Sequence, residues 1–158
     1  MLTLDIVRHG PALPSSASGD AGRLLSPEGR RLIERLGARL AQEGWNPLPG
    51  YVSPLVRARE TADLLAAAVP AGLPLIVLPE LHPEGSPEEL IEVLAPLLEP
   101  DSHTLLVGHQ PLLGDLIAAL CGSTLSVSAG CLVRVQMPGS LERGRGTVVA
   151  TFQPPSYA

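Results

Sequence analysis

The sequence predicts an α/β fold: a three-layer α/β/α sandwich with a mainly parallel central sheet and a C-terminal hairpin, in one domain spanning residues 1–158. Two observations predict it. Short apolar, β-rich runs alternate with segments whose apolar residues recur at helical spacing, and strands joined by helices form parallel sheets covered on both faces. Over 158 residues, a hydrophobic content of 45% against 17% charged residues suffices for one substantial core, although only 3% of residues are aromatic.

Leu2 to Val7 reads as the first strand and ends at Arg8-His9-Gly10. Pro11 to Leu25 is rich in Ser, Ala, Gly and Pro and reads as a loop long enough to be functional or mobile. Ser26 and Pro27 supply an N-cap and a first helical residue; Leu32, Ile33, Leu36 and Leu40 carry the helical repeat, and Gly44 stops it. Tyr51-Val52 predicts a second strand. Ser53-Pro54 repeats the cap signal and predicts a helix running to Val69, closed by Pro70 and Gly72. Leu75 to Leu78 predicts a third strand and Glu80 to Gly85 a loop. Ser86-Pro87-Glu88-Glu89 then starts a helix to Leu98, with its first turn suitably acidic. His103 to Val107 predicts the fourth strand and Leu112 to Leu120 a helix ended by Gly122. Leu132 to Met137 and Thr147 to Phe152 predict a hairpin about the turn Pro138 to Gly146. Right-handed crossovers align the carboxyl ends of the parallel strands, where the loops of α/β proteins gather a site.

Charge and composition exclude several function classes. A net charge of −5 argues against nucleic acid or an anionic membrane as the main partner. All 11 basic residues are arginines, which rules out a Schiff-base lysine and a P-loop lysine. No stretch approaches the roughly 20 apolar residues of a transmembrane helix. The N-terminal apolar run stops at Arg8, too soon for a secretory signal, so the expected location is cytoplasmic. Cys121 and Cys131 are expected as free thiols rather than a disulfide.

Three predicted loops at the strand ends carry the chemistry: Arg8-His9-Gly10, Ser53-Pro54-Leu55-Val56-Arg57-Ala58-Arg59-Glu60-Thr61-Ala62, and Gly108-His109-Gln110-Pro111. In that order they resemble the histidine phosphatase (phosphoglycerate mutase-like) superfamily, with its RHG triplet, SPLxRAxQTA segment and later GH dipeptide. Glu60 departs from the usual glutamine. Leu25-Ser26-Pro27-Glu28-Gly29 resembles the family's LTxxG helix start. The short chain and Leu78-Pro79-Glu80-Leu81 are most similar to the SixA-type protein phosphohistidine phosphatases.

The chemistry follows independently. Phosphoryl transfer needs an in-line nucleophile and cations around the equatorial oxygens. His9 is the expected nucleophile; one ring nitrogen attacks phosphorus while the other donates its proton to a fixed acceptor, which sets the tautomer. Gly10 is expected to allow close backbone approach. Arg8, Arg57 and His109 would surround the phosphoryl oxygens, each full cation–anion pair offering up to ~4 kcal/mol before desolvation costs. Arg59 points about 200° around the helix from Arg57, and the family match selects Arg57. Arg23 would either close over the phosphate from the loop or remain a solvated loop residue. Glu80 follows the third strand, where the resemblance places a proton donor, with His82 and Glu84 as alternatives. Imidazole leaves with a pKa near 6.5, so a phosphohistidine substrate would also tolerate a weak or absent acid.

His103, at the opposite edge, is expected to be structural. No metal is expected, because no pair among His9, His82, His103 and His109 has metal-ligand spacing. No cofactor is expected. The resemblance implies a phosphatase for a phosphorylated partner-protein domain of the phosphorelay type. A small phosphomonoester phosphatase is the alternative, and a non-catalytic phosphate- or phosphohistidine-binding module the third.

Overall fold

In the computed structural model, which describes residues 1–154, the first strand, β1 (Leu2–Arg8), is buried on both faces. Its neighbours explain why: β4 (His103–Gly108) pairs parallel on one side and β5 (Leu132–Met137) antiparallel on the other. Outside these lie β2 (Gly50–Val52), β3 (Leu75–Val77) and β6 (Thr147–Phe152), giving one six-stranded sheet of order β3-β2-β4-β1-β5-β6. The first four strands are mutually parallel, and the C-terminal pair forms the expected antiparallel hairpin.

Helices α1 (Pro27–Ala41) and α2 (Val56–Ala66) cover one face; α3 (Pro87–Leu94) and α4 (Leu112–Cys121) cover the other. The direction of travel dictates this. The chain steps outward from β1 through β2 to β3, then returns to β4, and a right-handed crossover must change face when the direction reverses. Pleating divides the apolar residues between two cores. Leu4, Ile6, Leu106 and Val133 join Leu90 and Leu116 on the α3/α4 side. Val7, Leu105, Val107 and Leu132 join Ile33, Leu36 and Leu65 on the α1/α2 side. Leucine, valine and isoleucine make up most of both, as the scarcity of aromatics requires.

Several predicted boundaries move. Helix α2 begins at Val56 with Leu55 as its N-cap, not at Pro54 with Ser53 as cap, and Arg57 is its second residue. The Ser53 side chain is committed elsewhere, to His109. Helix α2 ends at Ala66 and α3 at Leu94, short of the expected Val69 and Leu98, and turns complete both segments. Strand β3 stops at Val77, and Pro79–Leu81 forms a short 3-10 turn that leads into the expected loop. Ser26 caps α1 and Ser86 caps α3 as their sequences predict.

A charge sits inside the sheet. Asp5, at 0% exposure in the middle of β1, accepts hydrogen bonds from Trp45 Nε1 (2.6 Å), His103 Nε2 (2.6 Å) and Arg134 Nε (2.7 Å) and Nη2 (3.0 Å). Arg134 is the cross-strand partner of Asp5, so the pleat puts both on the α1/α2 face. Burial raises the Asp5 carboxyl, but the hydrogen bonds from His103 and Arg134 outweigh it and hold the group below its ordinary value. His103 thus belongs to a structural node at the amino end of β4, away from the strand ends that carry His9 and His109.

Candidate active site

Both candidate histidines and Glu80 lie beyond the carboxyl ends of parallel strands, with Arg8 the last residue of β1 and Arg57 in the first turn of α2. His9 follows β1, Ser53 follows β2, Glu80 lies just past β3, and His109 follows β4. The backbone joins two of these ends directly: His9 N–H donates to the Gly108 carbonyl (3.1 Å), immediately before His109. The two imidazoles lie 5.1 Å apart, centroid to centroid, at 55°.

The His9 tautomer is set by its neighbour. Nδ1 lies 2.7 Å from the Gly10 carbonyl oxygen, which only accepts, so Nδ1 carries the proton and Nε2 keeps its lone pair. Arg57 Nε–H approaches that lone pair at 3.3 Å. Burial pushes the His9 pKa down to about 4, with the Arg57 and Arg8 charges pushing the same way and the Gly10 hydrogen bond opposing. The ring is therefore neutral at pH 7, with a lone pair available for nucleophilic attack.

Gly10 permits a close approach by α1, whose Gly29 carbonyl oxygen would lie 3.2 Å from a Cβ placed there. A Cβ on it would lie 2.8 Å from Ile33 Cγ1, so its bareness lets α1 pack against the loop that holds His9. Gly29 serves the same junction, since a Cβ there would meet the Pro11 carbonyl oxygen at 2.0 Å. That carbonyl accepts Ser26 N–H at 3.0 Å, which explains a glycine three residues after the cap.

The middle segment holds the site through four side chains. The Ser53 hydroxyl meets His109 Nε2 at 2.7 Å. Arg57 is 5% exposed and aims at His9. Thr61 Oγ1 accepts Gly10 N–H at 3.1 Å while donating to the Arg57 carbonyl at 2.8 Å. Glu60 Oε1 accepts Leu25 N–H at 2.7 Å and Oε2 pairs with Arg30 at 3.3 Å, pinning the far end of the Pro11–Leu25 loop. Arg59 is exposed, as expected from its phase around the helix.

Arg8 Nη1 donates to the Val127 carbonyl at 3.2 Å. Arg23 is tied to its own loop, through Nε to the Leu13 carbonyl (2.7 Å) and Nη1 to Asp20 Oδ1 (3.0 Å), yet its charge reaches His9. Burial pushes His109 down to about 3, with His9 and Arg57 adding to it and His82 weighing on it from the neighbouring loop. That loop abuts the site because Leu81 packs beside Gly108. A cleft of about 230 Å³ there is lined by Glu80, His82, Glu84 and Glu89 among others. The His82 Nδ1 accepts Glu84 N–H at 3.2 Å.

Among the described residues, three buried side-chain polar atoms have no hydrogen-bond partner: Arg8 Nε, His109 Nδ1 and Glu80 Oε2. Leaving such an atom unpaired costs roughly 1–3 kcal/mol, so each calls for a water, an ion or a ligand to complete it. All three belong to residues at the sheet's carboxyl edge. The sequence does not single out Asp20, Ser53 as a partner of His109, or Thr61. Asp20 sits in a loop with no periodic signal, whereas Ser53 and Thr61 lie inside the matched segment.

Fold and site together define an α/β protein with paired histidines and an arginine at the carboxyl edge of a parallel sheet. Residues 4–83 match the model of the histidine phosphatase superfamily (branch 1). An uncharacterised protein of Picosynechococcus sp. is 36% identical over 121 residues, 75% of this chain and 73% of that one. The protein histidine phosphatase SixA, solved in complex with tungstate, superposes with a TM-score of 0.88 at 26% identity, covering 99% of both chains. The alpha-ribazole phosphatase of Shigella flexneri shares the fold, with a TM-score of 0.71 at 20% identity over 94% of this chain and 95% of that one. The chain belongs to the histidine phosphatase superfamily, and within it the chain is SixA-like.

Proposed function

We propose that this chain is a phosphatase that forms a phosphohistidine on His9 Nε2, without metal or cofactor, and that its substrate is phosphohistidine in a partner protein, as in a phosphorelay. The observation that carries this reading is the trio of unpartnered buried polar atoms at the same sheet edge as a histidine whose Nε2 is unprotonated and faces the Arg57 guanidinium. A pure binding module needs two donors but no such nucleophile.

The reaction runs in two transfers. His9 Nε2 attacks phosphorus, the substrate's P–N bond breaks, and the leaving imidazole takes a proton. Arg8 and Arg57 hold the equatorial oxygens as full cations. With the Ser53 hydroxyl donating to Nε2, His109 presents Nδ1–H to a third oxygen; a dianion there raises the affinity of His109 for a second proton. Water then attacks the phosphoryl group on His9, releasing inorganic phosphate and restoring the lone pair. Arg23 screens the charge from the loop.

Glu80 is the proposed proton donor, ahead of His82 and Glu84, because its Oε2 is buried and unpartnered. The same feature favours a second reading, a phosphatase for a small phosphomonoester, because an alkoxide leaving group needs an acid far more than imidazole does. One experiment separates the two: kcat/KM for phosphohistidine peptides and for aryl and alkyl phosphates, in wild type and Glu80→Gln. The proposal expects phosphohistidine to be the better substrate and Glu80→Gln to cost it little. The Glu80→Gln loss should grow to about 10²-fold as the leaving group becomes more basic. Small esters turning over far better than phosphohistidine would transfer the assignment to the second reading. A Glu80→Gln loss independent of leaving group would remove Glu80 as the acid.

A further inference from the structure

Arg57 already has an anion on it. Its Nη1 donates to the Asp20 backbone carbonyl at 2.9 Å and its Nη2 to Asp20 Oδ2 at 3.2 Å. Both terminal nitrogens of the guanidinium, the fork that suits a phosphoryl group, therefore rest on one residue of the Pro11–Leu25 loop. The two partners are not equally committed. Arg57's side chain is 6% exposed and held through Nε against His9, whereas that of Asp20 is 63% exposed at the loop tip.

The loop that carries Asp20 is built as a unit. Leu13 N–H donates to the Leu24 carbonyl (2.8 Å), Ala12 bridges Leu25, and Arg23 Nε holds the Leu13 carbonyl (2.7 Å). Gly19, just before Asp20, has φ +88°, a left-handed conformation that glycine adopts without strain. Arg23 holds the other carboxylate oxygen of Asp20, Oδ1, at 3.0 Å. The carboxylate thus spans two arginines as a phosphoryl group spanning the same pair would.

We propose that Asp20 is a resident competitor in the phosphate clamp: its carboxylate holds one prong of the Arg57 fork and its backbone carbonyl the other, and a phosphoryl group gains that fork only by displacing them. Asp20 is then a specificity-determining residue. It weakens the hold on any free oxyanion, including the inorganic phosphate product, and so favours substrates that bring binding energy from contacts beyond the phosphoryl group. This rests on the reading that Arg57 grips the phosphoryl group.

The test is calorimetric titration of inorganic phosphate, checked by orthovanadate inhibition, on wild type, Asp20→Asn, Asp20→Ala, Asp20→Glu and Arg57→Ala. Removing a partly screened competing charge is expected to tighten phosphate in Asp20→Asn and Asp20→Ala by roughly five- to tenfold. Asp20→Glu restores weak binding. A loop that merely scaffolds Arg57 predicts the opposite, looser binding in both neutral variants. Phosphate affinity unchanged or weakened in Asp20→Asn and Asp20→Ala, with Arg57→Ala still abolishing binding, overturns the competitor and leaves the phosphate clamp standing. Equal phosphate affinity in wild type and Arg57→Ala overturns both.

Discussion

Replacing His9 with alanine is expected to lower kcat/KM for a phosphohistidine peptide by at least ~10⁴-fold, the scale seen when a covalent nucleophile is removed. His9 is prepared for that role. Its Nδ1 is engaged by the Gly10 carbonyl at 2.7 Å, which leaves a single reactive nitrogen. Its pKa of about 4 keeps that nitrogen unprotonated across the physiological range. Once substrate ionisation is allowed for, the acid limb contributed by free His9 is expected near 4 rather than 6.5. The same depression gives a stability signature. The unfolded chain protonates His9 near 6.5 and the folded one near 4, so the neutral ring's contribution is present above the first value. That contribution is lost as pH falls toward the second. The His9→Ala variant lacks this acid penalty, and its stability should fall less than that of wild type between those two values. Circular dichroism and urea titration at two pH values check that the lost activity is chemical, not structural.

Replacing Asp5 with alanine should do the reverse. Asp5 gathers the Trp45 indole N–H, the His103 ring and the Arg134 guanidinium at distances of 2.6 to 3.0 Å, and it is wholly buried. Removing the carboxylate strands those donors, together with a charge, at the α1/α2 face. Breaking a buried pair from one side costs about 3–5 kcal/mol, a large share of the ~5–15 kcal/mol that holds a domain. With an m-value of about 2 kcal/mol/M in urea, the unfolding midpoint should drop by roughly 1.5–2.5 M. The folded fraction should keep its kcat/KM, because Asp5 touches none of the site residues. A midpoint within 0.3 M of wild type would show that the node contributes little.

The two variants mark what the sequence reveals and what it hides. Strand and helix identities are legible because buried apolar runs and Ser-Pro caps are local signals, and residues at strand ends inherit their place from the topology. Arg8, His9 and His109 take their places from the ends of β1 and β4, whereas Arg57, on α2, is selected over Arg59 by the family resemblance. The misreading of Ser53 shows the limit. Ser-Pro is a cap signal at Ser26 and Ser86, yet at Ser53 the hydroxyl turns to His109, 56 residues away, and the helix opens at Val56 instead. Asp5 carries a visible clue, a carboxylate inside an apolar strand, but its partners lie 40 to 129 residues distant. Asp20 leaves no pattern at all, because its role depends on where a loop of small residues happens to fold back.

The phosphohistidine on His9 is tested by rapid-quench trapping with a ³²P-labelled phosphohistidine substrate, followed by peptide mapping. One acid-labile, base-stable label per chain is expected on Nε2 of His9, forming and decaying at rates compatible with turnover and absent from His9→Ala. Turnover by wild type with no label on His9, or steady label on another residue in His9→Ala, would contradict it.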